Sequence, residues 1–288
     1  MNVGLAASIH ARLLNRAKAR GEDFNLILVR YAIERFLYRL SLMPAREAYW
    51  LKGALLFDLW FDVPHRPTRD ADFLGFGPAD TEALASTIRE ICGVAVDDGM
   101  EFDSASVTIE EIREDARYGG LRVRLLGRLG NARCTVQLDV GYGDAVTPGP
   151  EEAIYPTLLD DQPPRLRVYP RASVVAEKLE AIVSLGMANS RMKDYFDLRA
   201  LAREGVLDAR LLADAIAATF QRRGTALPVD APLGLSDEFA RDAAKRAQWK
   251  AFLGKNRLDA PALDGVIAEV RRFVTEPLKL ARQRKGMP

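Results

Sequence analysis

Histidine and cysteine are almost missing from this chain, with two of each among its 288 residues. His10 and His65 are too few for a histidine-rich zinc site, and a catalytic triad centred on any other histidine is excluded. Cys92 and Cys134 offer neither metal-ligand spacing nor a disulfide framework. Long apolar runs are absent too: none approaches the roughly 20 residues a bilayer requires, so no membrane partner is expected. The first twenty residues carry Arg12, Arg16, Lys18 and Arg20 on an amphipathic pattern and lack the apolar centre of a secretory signal. A cytoplasmic protein is the expectation.

A strong charge of one sign is also lacking, since the formal net charge is +1. A hydrophobic fraction of 48% with mixed charges describes a globular chain with a real core, long enough for one large domain or two modest ones. The balance is uneven along the sequence. Residues 51–198 hold about nine more acids than bases, whereas 1–50 and 199–288 hold about four and six more bases. An acidic centre between basic flanks suits a polyanionic acceptor held by the flanks; ordinary solvated helix faces produce the same count.

The densest pattern lies in residues 51–76. Asp70 and Asp72 alternate with small and apolar residues, so on a strand both carboxylates point to one face. Phe73, Leu74 and Phe76 suit a strand buried in a mixed sheet. Two like charges on one face repel unless a cation lies between them, and a hard divalent ion such as magnesium takes carboxylate oxygens together with substrate phosphates. Upstream, Lys52, Gly53 and Ala54 fall between an apolar stretch ending at Leu51 and an apparent helix over 55–61. Glycine at a strand-to-helix turn lets backbone N–H groups approach a phosphate, helped by the positive helix end.

A small-residue turn followed by Asp-x-Asp on the next strand is the layout of the polymerase-beta type of nucleotidyltransferase fold. Leu51-Lys52-Gly53, then Arg66, Thr68, Asp70 and Asp72 at alternate positions, resembles the AbiEii/AbiGii family of nucleotidyltransferase toxins, which includes the MenT toxins. That family usually has a second Gly or a Ser after the first Gly; Ala54 and Leu55 here keep only the backbone contact. The resemblance implies two Mg2+ ions held by Asp70 and Asp72 that grip an NTP donor, with phosphate charge offset by the Gly53–Ala54 amides, Lys52 and Arg66. Thr68 would bond phosphate or fix the Asp70 loop.

Downstream, 107–112, 121–126 and 134–140 alternate as strands do, with glycine-rich turn signals at 118–120 and 127–131, and the last two read as a hairpin. Asp139 stands between Leu138 and Val140, where an acid is expensive to bury unless paired or metal-bound. In the polymerase-beta type a third carboxylate arrives from a later strand, and Asp139 is the candidate metal ligand. Residues 144–172 hold six prolines, which rule out a continuous helix and suggest a connector. Beyond Pro170 the chain reads as helical, with Ser173 or a neighbour as a cap.

Two helical segments, Glu177-Lys178-Leu179 and Arg191 to Asp197, resemble the family's later motifs, in which a lysine and an aspartate complete the active site. Lys178 would neutralise the triphosphate. Asp194 matches the later acid, although Asp197 shares its helix face and either fits the role. Segments 207–221, 238–253 and 263–284 complete a helical region, with Lys279, Arg282, Arg284 and Lys285 crowding its end. Trp249 and Phe252 lie among bases, yet packing is the better reading for both.

The expected fold is therefore α+β: a mixed nucleotidyltransferase sheet with two leading helices over 1–170, then a helical bundle over 171–288 that completes the active site. By the resemblance, the chain is a toxin-like nucleotidyltransferase that moves NMP from an NTP to the 3′ end of tRNA, with a cognate antitoxin as partner. Transfer to a protein hydroxyl or small molecule, or a non-catalytic interaction protein of the same fold, are the alternatives.

Overall fold

The computed structural model describes residues 3–62, 65–115 and 118–285, and divides the chain into two compact units. The first comprises residues 1–143 and 151–168, the second 144–150 and 169–288.

The first unit opens with helices α1 (Val3–Arg20) and α2 (Phe24–Ser41). Asp23 starts α2 by accepting from the Leu26 N–H at 2.9 Å, satisfying one of the orphan donors of the first turn. Its buried residues, including Leu28, Tyr31, Phe36 and Leu40, recur at helical spacing. Strand β1 (Tyr49–Lys52) runs into a 3-10 turn (Gly53–Leu56) and a single turn of helix, α3 (Phe57–Trp60). Then come β2 (Asp70–Gly75), α4 (Thr81–Gly93), β3 (Met100–Asp115), β4 (Tyr118–Leu129), β5 (Ala132–Tyr142), β6 (Glu151–Ile154) and β7 (Arg165–Val168).

The seven strands form one mixed sheet in the order β3-β4-β5-β2-β1-β7-β6. Strand β2 runs antiparallel to β1 and parallel to β5, so it is a central strand. Ala71, Phe73 and Leu74 are accordingly buried. Helix α2 is tied down by a charged contact rather than by apolar packing alone. Arg39 directs its guanidinium at both oxygens of Asp98 (2.7 and 3.0 Å) and at the carbonyls of Arg35, Val94 and Met100. Every guanidinium N–H thereby has an acceptor, the condition under which a buried ion pair is tolerated.

Several sequence expectations are corrected here. The 144–172 stretch is not merely a connector: β6 and β7 lie within it, and Leu51 of β1 pairs with Val168 of β7. Proline bars helix there but not short strands near a sheet edge. Phe76 lies beyond the end of β2, 46% exposed, with its ring 4.2 Å from that of Trp50. Gly119, Gly120 and Gly127 sit inside β4, and the hairpin turn is confined to Gly130 and Asn131. A Cβ on Gly120 would meet the Val140 carbonyl at 3.1 Å, and one on Gly127 the Met100 side chain at 3.1 Å. Cross-strand crowding, not a turn, favours glycine at 120 and 127.

The second unit is helical: α5 (Arg171–Leu185), α6 (Met192–Glu204), α7 (Ala209–Arg223), α8 (Asp237–Arg241), α9 (Ala243–Asn256) and α10 (Leu263–Lys285). Ser173 lies inside α5 and does not cap it; its hydroxyl exchanges hydrogen bonds with the Thr147 backbone. The single helix expected over 238–253 is two, because Asp242 leaves helical geometry and caps α9 through the Lys245 N–H. Trp249 is 3% exposed and donates to the Pro261 carbonyl, in keeping with the packing reading. Residues 286–288 of the expected bundle lie outside the described residues.

Candidate active site

The first unit's site is set by strand register. Lys52 on β1 lies opposite Asp72 on β2, Asp72 opposite Asp139 on β5, and Asp139 opposite Arg122 on β4. Arg122 in turn faces Glu110 on β3. Residues directly opposite share a sheet face, so five charged side chains from five adjacent strands form one row. Asp70, two residues before Asp72, points to that face as well.

Asp70, Asp72 and Asp139 each offer one oxygen within 4.8 Å of the others. Oxygen donors at that separation suit a hard divalent cation, and the donor set contains no soft or imidazole ligand that would favour zinc or copper. The three candidate ligands thus come together, from two strands adjacent in the sheet but distant in sequence. Asp139 is already engaged: Arg122 donates through Nε to one of its oxygens at 2.8 Å and through Nη2 to the other at 2.6 Å. A carboxylate oxygen retains a second lone pair, so the fork does not exclude a cation.

Neighbouring groups fix the two β2 acids. The Thr68 hydroxyl donates to Asp70 at 2.5 Å, so in this structure it holds the aspartate. His65 stacks on Phe57 with ring centroids 4.2 Å apart, which anchors the segment carrying Arg66. Gly53 has φ of +76°, and a Cβ there would lie 2.0 Å from Asp72 Oδ2. The glycine therefore makes room for the Asp72 carboxylate. The helix expected after it is a 3-10 turn and one turn of α-helix, too short for a substantial dipole at the Gly53 and Ala54 amides. Gly53→Ala is expected to strain the backbone and displace Asp72, lowering transferase turnover by about a hundredfold with a stability loss of about 1–3 kcal/mol. Unchanged turnover and urea midpoint in that variant would remove this role for Gly53.

The second unit holds its own charged cluster. Lys178 on α5 reaches Asp194 Oδ1 and Asp197 Oδ2 on α6, each at 2.7 Å, and both aspartates are fully buried. Arg191 Nε adds a 2.8 Å contact to Asp194. Burial alone would raise the Asp194 pKa, but Lys178 and Arg191 outweigh it and hold the carboxyl below its ordinary value. Lys178, Asp194 and Asp197 are thus one ion-paired group, in which either aspartate is a candidate. Sequence reading missed Arg122 and Arg191. The first was hidden in strand alternation; the second had a signal, its spacing of three residues before Asp194.

The chain matches a sequence profile over residues 35–275, that of the AbiEii nucleotidyl transferase toxin of type IV toxin–antitoxin systems. The chain belongs to the AbiEii family. It is accordingly a toxin-like nucleotidyltransferase, and the mixed sheet followed by helices is the expected fold class. Two solved structures are similar to it. JHP933 from Helicobacter pylori shares 15% identity with a TM-score of 0.47, over 87% of this chain and 90% of that one. A second H. pylori protein, presented as a candidate nucleotidyltransferase, shares 16% identity with a TM-score of 0.45, over 88% and 94%. No curated protein gives a significant match. Among the described residues, no helix of this AbiEii-family chain is long and apolar enough to cross a membrane.

Proposed function

We propose that this AbiEii-family enzyme transfers NMP from an NTP to the 3′ end of tRNA, as MenT-like relatives do, and so blocks translation. The observation that carries the reading is the three-acid group on one sheet face, in a chain whose family is that of nucleotidyl transferase toxins. Asp70 and Asp72, with Asp139 beside them, would hold Mg2+. Such an ion, when bound, polarises a phosphoryl oxygen and neutralises charge at the displaced pyrophosphate.

The chain's own residues divide the remaining work. Thr68 keeps Asp70 aimed at the shared face. Gly53 leaves space for Asp72, while the Gly53 and Ala54 amides, Lys52 and Arg66 offset triphosphate charge. Lys178 and Asp194 enter on their match to the family's later motifs: the lysine toward triphosphate, the acid toward the acceptor hydroxyl. The cytoplasm supplies both substrates, and a cognate antitoxin is the partner that the family description implies.

The basic flanks are a weaker support than their charge suggests. In the second unit Arg282 donates to the Pro228 and Val229 carbonyls and Arg284 pairs with Asp214, so both serve the fold. Lys279, 58% exposed in its side chain, is the better surface probe.

Purified protein is incubated with total RNA and each α-labelled NTP, with Mg2+ or with EDTA, and RNA 3′ ends are then sequenced. Label on tRNA ends that disappears with EDTA is the expected result. Label on protein or on a small molecule would overturn the tRNA assignment, and transfer unaffected by EDTA would overturn the cation.

A further inference from the structure

The charged row across the sheet has a cation at each end of its acidic pair. Lys52 flanks Asp72 and Arg122 flanks Asp139. With Asp70 included, three negative charges therefore meet two positive ones before any ion is bound. Lys52 is buried at 6% exposure, whereas the Arg122 side chain is 28% exposed and also lies 4.0 Å from Glu110. Of the two cations in the row, Arg122 is the one with room to turn. Its planar fork matches a carboxylate and a phosphate equally well.

We propose that Arg122 is a built-in counter-ion that competes with the divalent cation for Asp139 and turns to the polyphosphate when nucleotide arrives. The inference rests on the nucleotidyltransferase reading above and assigns a binding role to a residue that no motif marks. It follows that the free protein holds a divalent cation weakly. The site takes its cation together with the triphosphate, whose own charge replaces the attraction that Arg122 cancels.

The test uses the full chain and two probes: Mn2+ alone, followed by electron paramagnetic resonance, and inorganic tripolyphosphate with Mg2+, followed by calorimetry. In Arg122→Ala, Mn2+ affinity is expected to rise about tenfold, the scale of one unit charge a few ångströms away in a partly solvated site. Tripolyphosphate affinity is expected to fall by a similar factor. A merely structural role would lower both, so the opposite signs are the signature. Arg122→Lys, which keeps the charge and loses the fork, should leave Mn2+ affinity near wild type and recover only part of the tripolyphosphate affinity.

In an Asp139→Asn background the Mn2+ gain from Arg122→Ala should shrink, because competition for that carboxylate is gone and only the arginine's through-space repulsion of the cation remains. A fall or no change in Mn2+ affinity for Arg122→Ala would overturn the proposal, as would undiminished tripolyphosphate binding. Asp70→Asn separates this failure from that of the underlying reading. If Asp70→Asn weakens Mn2+ binding while Arg122→Ala does not strengthen it, the counter-ion falls and the cation site stands. If Asp70→Asn leaves Mn2+ binding unchanged, the cation site itself falls.

Discussion

Asp70→Asn and Asp72→Asn are each expected to cut nucleotide transfer by at least about a thousandfold while leaving the protein as stable as wild type, or more so. The two halves of that result have one cause. Asp70, Asp72 and Asp139 crowd three carboxylates within 4.8 Å, a repulsion that favours cation binding and costs folding energy. Removing one charge relaxes the repulsion and removes a ligand together. Neither variant opens a cavity, since asparagine has the shape of aspartate and the Thr68 hydroxyl retains an oxygen to bond. Thermal unfolding and single-turnover transfer, measured on the same preparations, check both halves. Near wild-type transfer by either folded variant would end the active-site assignment.

The second large effect is on folding. Lys178→Ala should destabilise the protein by about 3–5 kcal/mol, because it removes the ammonium shared by two fully buried aspartates and leaves Arg191 to hold Asp194. The sign of its pH dependence follows from Asp194. In wild type its folded pKa is lowered, so its stabilisation is present above the unfolded value of about 4 and is lost as pH falls through the folded one. In the variant Asp194 keeps its burial and its Arg191 contact but loses Lys178, so its folded pKa rises from the wild-type value and the wild-type advantage shrinks as acid protonates it. The urea midpoints of the two proteins should therefore converge as pH falls from 8 toward about 4. Parallel curves would show that Lys178 does not neutralise these acids. Lost transfer in Lys178→Ala thus carries information on chemistry only at urea-free conditions where the variant is still folded. Lys178→Arg should not restore stability, since a broad fork cannot replace an ammonium between two oxygens at 2.7 Å.

The acidic pair was legible because a period of two is a local property of the chain: Asp70 and Asp72 share a face in any strand. Asp139 was legible as an acid between apolar residues, and its partnership with Asp72 followed once β5 was placed beside β2. Arg122 was not. In Leu121-Arg122-Val123-Arg124 both arginines have the look of a solvent-facing row, and only sheet order separates them. Arg122 lands beside Asp139, while Arg124 lands opposite Gln137.

Gly53 was read for what its amides could bind, whereas its missing side chain is what the Asp72 carboxylate requires. The strands β6 and β7 escaped because each has four residues among prolines, too few for alternation to show. Asp242 escaped because apolar spacing continues across the break between α8 and α9, and a cap is a single residue.

The order of strands in the sheet differs from the order in which a ribosome delivers them. Strand β2 has one neighbour, β1, immediately before it, but its other neighbour is β5, made only after α4 and the long β3–β4 pair. The outer edge of β1 waits longer still, for β7. Pairings between such distant segments form late and slowly, because loop closure precedes the contacts that reward it. A nascent chain therefore carries Asp70 and Asp72 without Asp139 until β5 has emerged. In a toxin-like nucleotidyltransferase, the folding time of this sheet thus stands between translation and a complete three-acid group.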